Sequence, residues 1–73
     1  MEVEEAMKKF DAVPQEEYER FNLAVRNAEV RRICDGKKPA GKREYYMTLA
    51  AICIGLISVK KAYEFLDAYV DTR

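Results

Sequence analysis

The residues that could carry out chemistry in this chain are few and widely spaced. Histidine is absent, which excludes catalytic triads and metal sites that depend on imidazole. Cys34 and Cys53 have 18 residues between them, so the chain lacks the Cys-x-x-Cys spacing of zinc and dithiol redox sites. Serine and threonine together supply only Thr48, Ser58 and Thr72. We therefore expect a protein that is not an enzyme and that needs no metal or cofactor.

One segment has the spacing of a phosphate-binding loop. Residues 36–43 read GKKPAGKR, which fits the pattern G-x-x-x-x-G-K with Lys42 as the lysine that would reach the phosphate. Arg43 stands where such loops carry the Ser or Thr that binds magnesium, and 73 residues cannot supply the parallel sheet that positions the loop. We interpret Gly36 as the glycine that ends a helix, followed by a basic connecting loop.

Two other groups of side chains have weaker chemical interpretations. Glu64, Asp67 and Asp71 are spaced three and four apart, so they share a helix face. They would need further ligands to bind a cation, and a solvated acidic face is the simpler interpretation. Tyr45 and Tyr46 adjoin the basic loop, where they could anchor a protein contact or stack on a base, although one of the two should pack internally.

Length and composition predict a single domain over residues 1–73. Hydrophobic residues make up 49% of the chain and charged residues 36%, with three glycines and two prolines. A domain of this size buries only about 60% of the surface of its unfolded chain, so burial against a partner would add stability. The longest nearly apolar run, 45–57, has 13 residues, whereas a membrane span needs about 20. We expect a cytoplasmic protein with no membrane partner and with reduced cysteines.

Apolar residues at helical spacing predict an all-α bundle of three to four helices, at about residues 2–10, 14–35, 42–57 and 59–71. Pro14 suits the first position of the second helix. Gly36 fits the left-handed residue that follows this helix, and Ser58 is a suitable N-cap for the fourth. No stretch alternates β-branched and polar residues as a strand would.

The second helix has two apolar stripes. At 100° per residue, residues 18, 21, 25 and 28 lie together, and Leu23, Val30 and Cys34 lie nearly opposite. The second stripe has two interpretations: it is covered within the monomer, or it contacts another chain. The second interpretation predicts a homodimer or a protein interface at Leu23, Arg26, Val30 and Cys34.

The charges are segregated although their sum is zero. Residues 1–22 carry seven acidic and three basic residues, and residues 23–43 carry two acidic and seven basic ones. Such a basic block could contact phosphate, an acidic protein surface, or the acidic first helix of the same or another chain. Because nucleic-acid-binding domains usually carry a clear positive excess, we favour a protein contact or self-pairing. The predicted basic patch comprises Arg31, Arg32, Lys37, Lys38, Lys42 and Arg43.

The C-terminal half loosely resembles a helix-turn-helix unit. Gly55 would be the turn glycine four residues after Ala51, and Ser58 would cap a recognition helix that bears Lys60 and Lys61. That helix has no Arg, Asn or Gln before its end, the residues best suited to read base edges. Nucleic-acid binding, through this unit or through the basic patch, is therefore the alternative function.

We predict a small protein that binds another protein and acts by occlusion or bridging. Apolar contacts from Leu23 and Val30 would provide burial, and the nearby arginines and lysines would provide steering and register. Small stand-alone inhibitors, including those that phages make against host defence, are of this type in size and in lack of catalytic groups.

Overall fold

The computed structural model describes residues 3–70, which fold into helices. Helix α1 spans Val3–Asp11, α2 spans Gln15–Cys34 and α3 spans Lys42–Cys53. A short 3-10 helix, Val59–Lys61, leads into α4, which spans Ala62–Val70. The predicted all-α bundle is confirmed, and no strand occurs in this part of the chain.

The end of α2 follows the prediction from Gly36. This glycine has a φ of +82°, the left-handed conformation that an L side chain disfavours. The amide of Gly36 donates to the carbonyl of Ile33 at 3.0 Å, and the amide of Lys37 donates to that of Arg32 at 2.9 Å. These two hydrogen bonds form a Schellman motif, which satisfies carbonyls at the end of the helix.

The predicted extension of α3 to residue 57 is wrong. Gly55 also has a φ of +82°, and the amide of Leu56 donates to the carbonyl of Ala51 at 2.9 Å. A second Schellman motif therefore ends α3 at Cys53 despite the apolar residues that follow. Ser58 does precede the next helix, but its side chain makes no capping hydrogen bond.

The core lies between α2, α3 and α4. Its central residues are buried to 5% exposure or less: Val25, Leu49, Ile52, Ala62 and Leu66. Helix α1 contributes no buried residue. It contacts α3, and the ring of Phe10 meets that of Tyr18 edge to face at 6.1 Å between centroids. Helix α1 thus packs on the outside of a core that is formed by the other three helices.

Candidate interaction surface

The side of α2 that faces away from the core exposes apolar residues. Leu23 is 57% exposed and Val30 is 52% exposed, whereas Val25, two positions after Leu23, is completely buried. Arg26 and the free thiol of Cys34 are exposed on the same side. We call Leu23, Arg26, Val30 and Cys34 the outer face of α2. Of the two sequence interpretations, cover from within the monomer does not hold among residues 3–70.

Most of the exposed charges around the outer face are basic, although Glu19, four residues before Leu23, is exposed on the same side. Arg20, Arg26 and Arg31 are exposed, and the one acidic residue between them, Glu29, is partly buried. Ile33, which is 47% exposed, extends the apolar surface beside Val30. The outer face therefore presents apolar side chains among positive charges.

The predicted basic patch is only partly accessible. Arg31, Lys38, Lys42 and Arg43 are exposed, but Lys37 is intermediate and Arg32 is 0% exposed. The assignment of Arg32 to an accessible patch is thus wrong. It lies seven residues after Val25, so two helical turns place it on the core side of α2. The spacing from Val25 could have shown from the sequence that Arg32 faces the core, but a count of charges by segment ignores helix faces.

Arg32 instead joins α2 to α4 through Asp67. The Nε of Arg32 donates to Oδ1 of Asp67 at 2.6 Å, and its Nη1 donates to the carbonyl of Lys38 at 2.7 Å. The Nζ of Lys37 donates to Oδ2 of the same carboxylate at 2.6 Å. The predicted solvated acidic face is therefore wrong for Asp67, whereas Glu64 is exposed and pairs with Lys61. Asp71 lies outside the described residues.

A tyrosine completes this cluster at the end of α2. The hydroxyl of Tyr63 donates to Oδ2 of Asp35 at 2.6 Å, and Lys37 Nζ lies 4.9 Å from the centre of the Tyr63 ring. The hydrogen bond to Asp35 raises the pKa of Tyr63, and the hydrogen bond to Asp67 raises the pKa of Lys37. The hydrogen bonds from Arg32 and then Lys37 lower the pKa of Asp67. Contacts between α4, the loop and α2 thus hold the C-terminal end of the outer face.

We expect the free energy of unfolding to fall on acidification as Asp67 is protonated. The pKa of Asp67 is lower in the folded chain than in the unfolded one, so below about pH 4 the unfolded state binds more protons. Its contribution is present above the ordinary carboxyl pKa and is lost as the pH falls through the lower, folded value. Urea titrations at pH 7 and pH 3 measure the loss, which should be smaller in Asp67→Asn. Equal losses in the two proteins would contradict this assignment.

Tyr45 holds α3 to the middle of α2. Its hydroxyl donates to the carbonyl of Asn22 at 3.1 Å and also contacts the side-chain oxygen of Asn22. Desolvation by burial raises the pKa of Tyr45. Tyr46 is 58% exposed and meets the Tyr45 ring edge to face. As expected, one tyrosine packs, and here the other remains accessible.

An apolar groove between α1 and the end of α3 was not predicted. Its lining consists of Val3, Ala6, Met7 and Phe10 from α1 with Ala50, Ile54 and Leu56 at the end of α3. The spacing of the four α1 residues indicated an apolar side, but it did not show whether that side docks on its own chain or on a second copy. In the structure Val3 remains 74% exposed and Met7 59% exposed. We call these seven residues the α1–α3 groove.

The described residues offer little for metal or thiol chemistry. Across residues 3–70, no three His, Cys, Asp or Glu side chains are grouped so that they could hold a metal ion. Cys53 is a partly buried free thiol, and burial raises its pKa, which disfavours the reactive thiolate. In the same residues, no helix has both the length and the apolar character needed to cross a membrane.

In the comparisons with known proteins, no family model, curated sequence or solved structure matches this chain. The surface chemistry is therefore the basis on which its function can be inferred.

Proposed function

We propose that this chain is a non-enzymatic binding protein whose outer face of α2 docks on an acidic, partly apolar surface of another protein. The exposure of Leu23 and Val30 opposite a completely buried Val25 is the observation that carries the proposal. The same helix supplies the core on one side and leaves on the other an exposed strip in which Leu23 and Val30 lie two turns apart with Arg26 between them. Burial of such a strip is the main favourable term in protein association.

The charge around the strip selects the kind of partner. Arg20, Arg26 and Arg31 flank Leu23 and Val30 and outnumber the one exposed acidic residue on this side, Glu19, and Lys38, Lys42 and Arg43 are further exposed basic residues in the loop and at the start of α3. Two copies of this face placed together would bring arginines against arginines. An acidic partner would instead be steered towards the surface and held in register. Bound in this way, the chain would act by covering the partner's surface or by bridging it to another molecule.

The nucleic-acid alternative has less support. Helix α4, the recognition helix of that interpretation, contains no Arg, Asn or Gln. Leu56, which directly follows the turn glycine of that interpretation, is 61% exposed. With Arg32 buried, the basic patch also loses one of its predicted members. Apolar exposure on α2 suits a protein surface better than a phosphate backbone.

Single substitutions on the outer face should remove partner binding without unfolding the chain. We expect Leu23→Glu and Val30→Glu each to reduce binding about tenfold or more, because each places a carboxylate in the apolar strip and opposite an acidic surface. The matched control is Val59→Glu, which adds the same charge at a position that is 40% exposed, outside the outer face. Circular dichroism checks that all three variants fold.

The measurement is affinity capture from the native host, quantified by mass spectrometry and repeated with the purified captured protein. The partner should be retained by wild type and by Val59→Glu, lost with Leu23→Glu and Val30→Glu, and released more readily as salt increases. Equal capture by all four proteins would contradict the proposed surface. Binding of labelled duplex or single-stranded DNA that depends on Lys42 and Arg43, but not on Leu23, would favour the alternative.

A further inference from the structure

The α1–α3 groove is a second apolar surface, separate from the outer face of α2. All seven residues that line it are apolar, and it encloses about 330 Å³. Phe10 is 38% exposed and Leu56 61% exposed, and both lie with Val3 and Met7 along the same opening. Exposed apolar side chains that are grouped together, unlike isolated ones, mark candidate contacts with other molecules.

Helix α1 has too little support from its own chain. It has nine residues, and none of them is buried. Isolated helices shorter than about 12–15 residues are marginal in water, because helix nucleation is costly and short helices depend on packing. The contact with α3 covers Ala6 in part but leaves Val3 and Met7 mainly in solvent. Further cover over the groove would therefore stabilise α1 as a helix.

The order of charges along α1 indicates that a second copy of the chain covers the groove. The first turn carries Glu4 and Glu5, and the last turn carries Lys8 and Lys9. Two such helices placed antiparallel bring the acidic turn of each against the basic turn of the other. With a two-fold axis near Met7, Glu4 lies two residues, about 3 Å along the helix, from the level of Lys8 of the second copy, and both lie on the same flank of the exposed Val3 and Met7 side chains. This order of charges is complementary to itself, as a two-fold interface requires.

We propose that the α1–α3 groove is the interface of a homodimer in which α1 pairs antiparallel with α1 of a second copy. Val3, Met7 and Leu56 of each copy are then covered by the other, and the two charged turns form reciprocal ion pairs. Asp11, at the end of α1, does not fit this pattern of ion pairs, because it lies level with the acidic first turn of the second copy and would repel it. The dimer leaves both outer faces of α2 open to partners.

Charge exchange between two variants provides the test. Glu4→Lys/Glu5→Lys makes both turns of α1 basic, and Lys8→Glu/Lys9→Glu makes both acidic, so each variant should repel itself. We expect each alone to dimerise about tenfold more weakly than wild type, and a 1:1 mixture to form heterodimers of nearly wild-type affinity. Sedimentation equilibrium measures the affinities, and native mass spectrometry identifies the heterodimer. The matched control is Glu16→Lys/Glu17→Lys, which makes the same change in the exposed first turn of α2.

Further variants separate this interface from the outer face of α2. Asp11→Lys should tighten the dimer, Leu56→Glu should weaken it, and Leu23→Glu should leave it unchanged. Helical circular dichroism at 222 nm should rise with wild-type concentration as α1 is covered. The proposal would be overturned if wild type remained a monomer at all concentrations up to about 1 mM, because a dissociation constant above that value is weak even for a small interface. A dimer that is weakened by Leu23→Glu but not by the α1 charge variants would also overturn it. Neither result would change the expected capture of an acidic partner.

Discussion

Replacing Asp67 with asparagine should lower the free energy of unfolding by about 2–3 kcal/mol. The substitution keeps the shape of the side chain but removes the carboxylate that accepts from Arg32 Nε at 2.6 Å. Removing one partner of a buried ion pair typically costs about 3–5 kcal/mol. We expect a smaller loss here because only one partner is fully buried: the Arg32 side chain is 0% exposed, but that of Asp67 is 26% exposed. For a chain of this length the total is on the order of 4–11 kcal/mol, so the loss would be a large part of it.

Urea denaturation at pH 7, followed by circular dichroism, measures this effect. The matched control is Glu64→Gln on the same helix, where the ion pair with Lys61 is exposed on both sides. Exposed pairs contribute little, so the control should change the free energy of unfolding by less than about 0.5 kcal/mol. Similar losses in the free energy of unfolding for the two variants would show that the Arg32–Asp67 ion pair stabilises the fold no more than the exposed pair does.

The Arg32–Asp67 pair also explains how the outer face is supported. Arg32 lies between Arg31 and Ile33, which are exposed, so its inward side chain fixes the rotation of the last turns of α2. At the middle of the helix, Tyr45 and Asn22 hold α2 to α3 in a similar way. A helix fastened at two points presents its apolar strip with little entropy left to lose on binding, which favours affinity.

The outer face of α2 could be predicted because it depends only on helix geometry. Leu23 and Val30 are seven residues apart, and a rotation of 100° per residue places both opposite Val25 once the segment is known to be helical. The left-handed Gly36 was predictable for a similar local reason, since it follows the last basic turn of the helix. Predictions of this kind need no knowledge of how distant segments meet.

The features that were missed depend on contacts between distant segments or on competing local signals. Arg32 and Asp67 are 35 positions apart, and charge patterns alone cannot show that an arginine and an aspartate will meet. At the end of α3, the apolar residues after Gly55 favoured a longer helix, but the glycine took the left-handed conformation. For α1, periodicity showed which side is apolar, but it does not show how much of that side the other helices can cover.

Leu66→Ala should have an effect at least as large as that of Asp67→Asn. Leu66 is 0% exposed and lies in the central core with Val25 and Leu49. Truncating a buried leucine to alanine costs about 2–5 kcal/mol, because transfer free energy is lost and a cavity remains among residues that are held by three helices. The variant should therefore unfold at a clearly lower urea concentration than wild type.

Leu56→Ala provides the contrast, because the same truncation is made at a side chain that is 61% exposed. It should change the stability of the monomer by no more than about 0.5 kcal/mol, measured by urea denaturation at low protein concentration. At high concentration the stabilities of the two variants should come closer together. The proposed dimer forms from the folded state, so Leu66→Ala should regain stability as its concentration rises, whereas Leu56→Ala, with a damaged groove, should gain less than wild type does. Equal concentration dependence in wild type and Leu56→Ala would mean that the exposed leucine does not contribute to association.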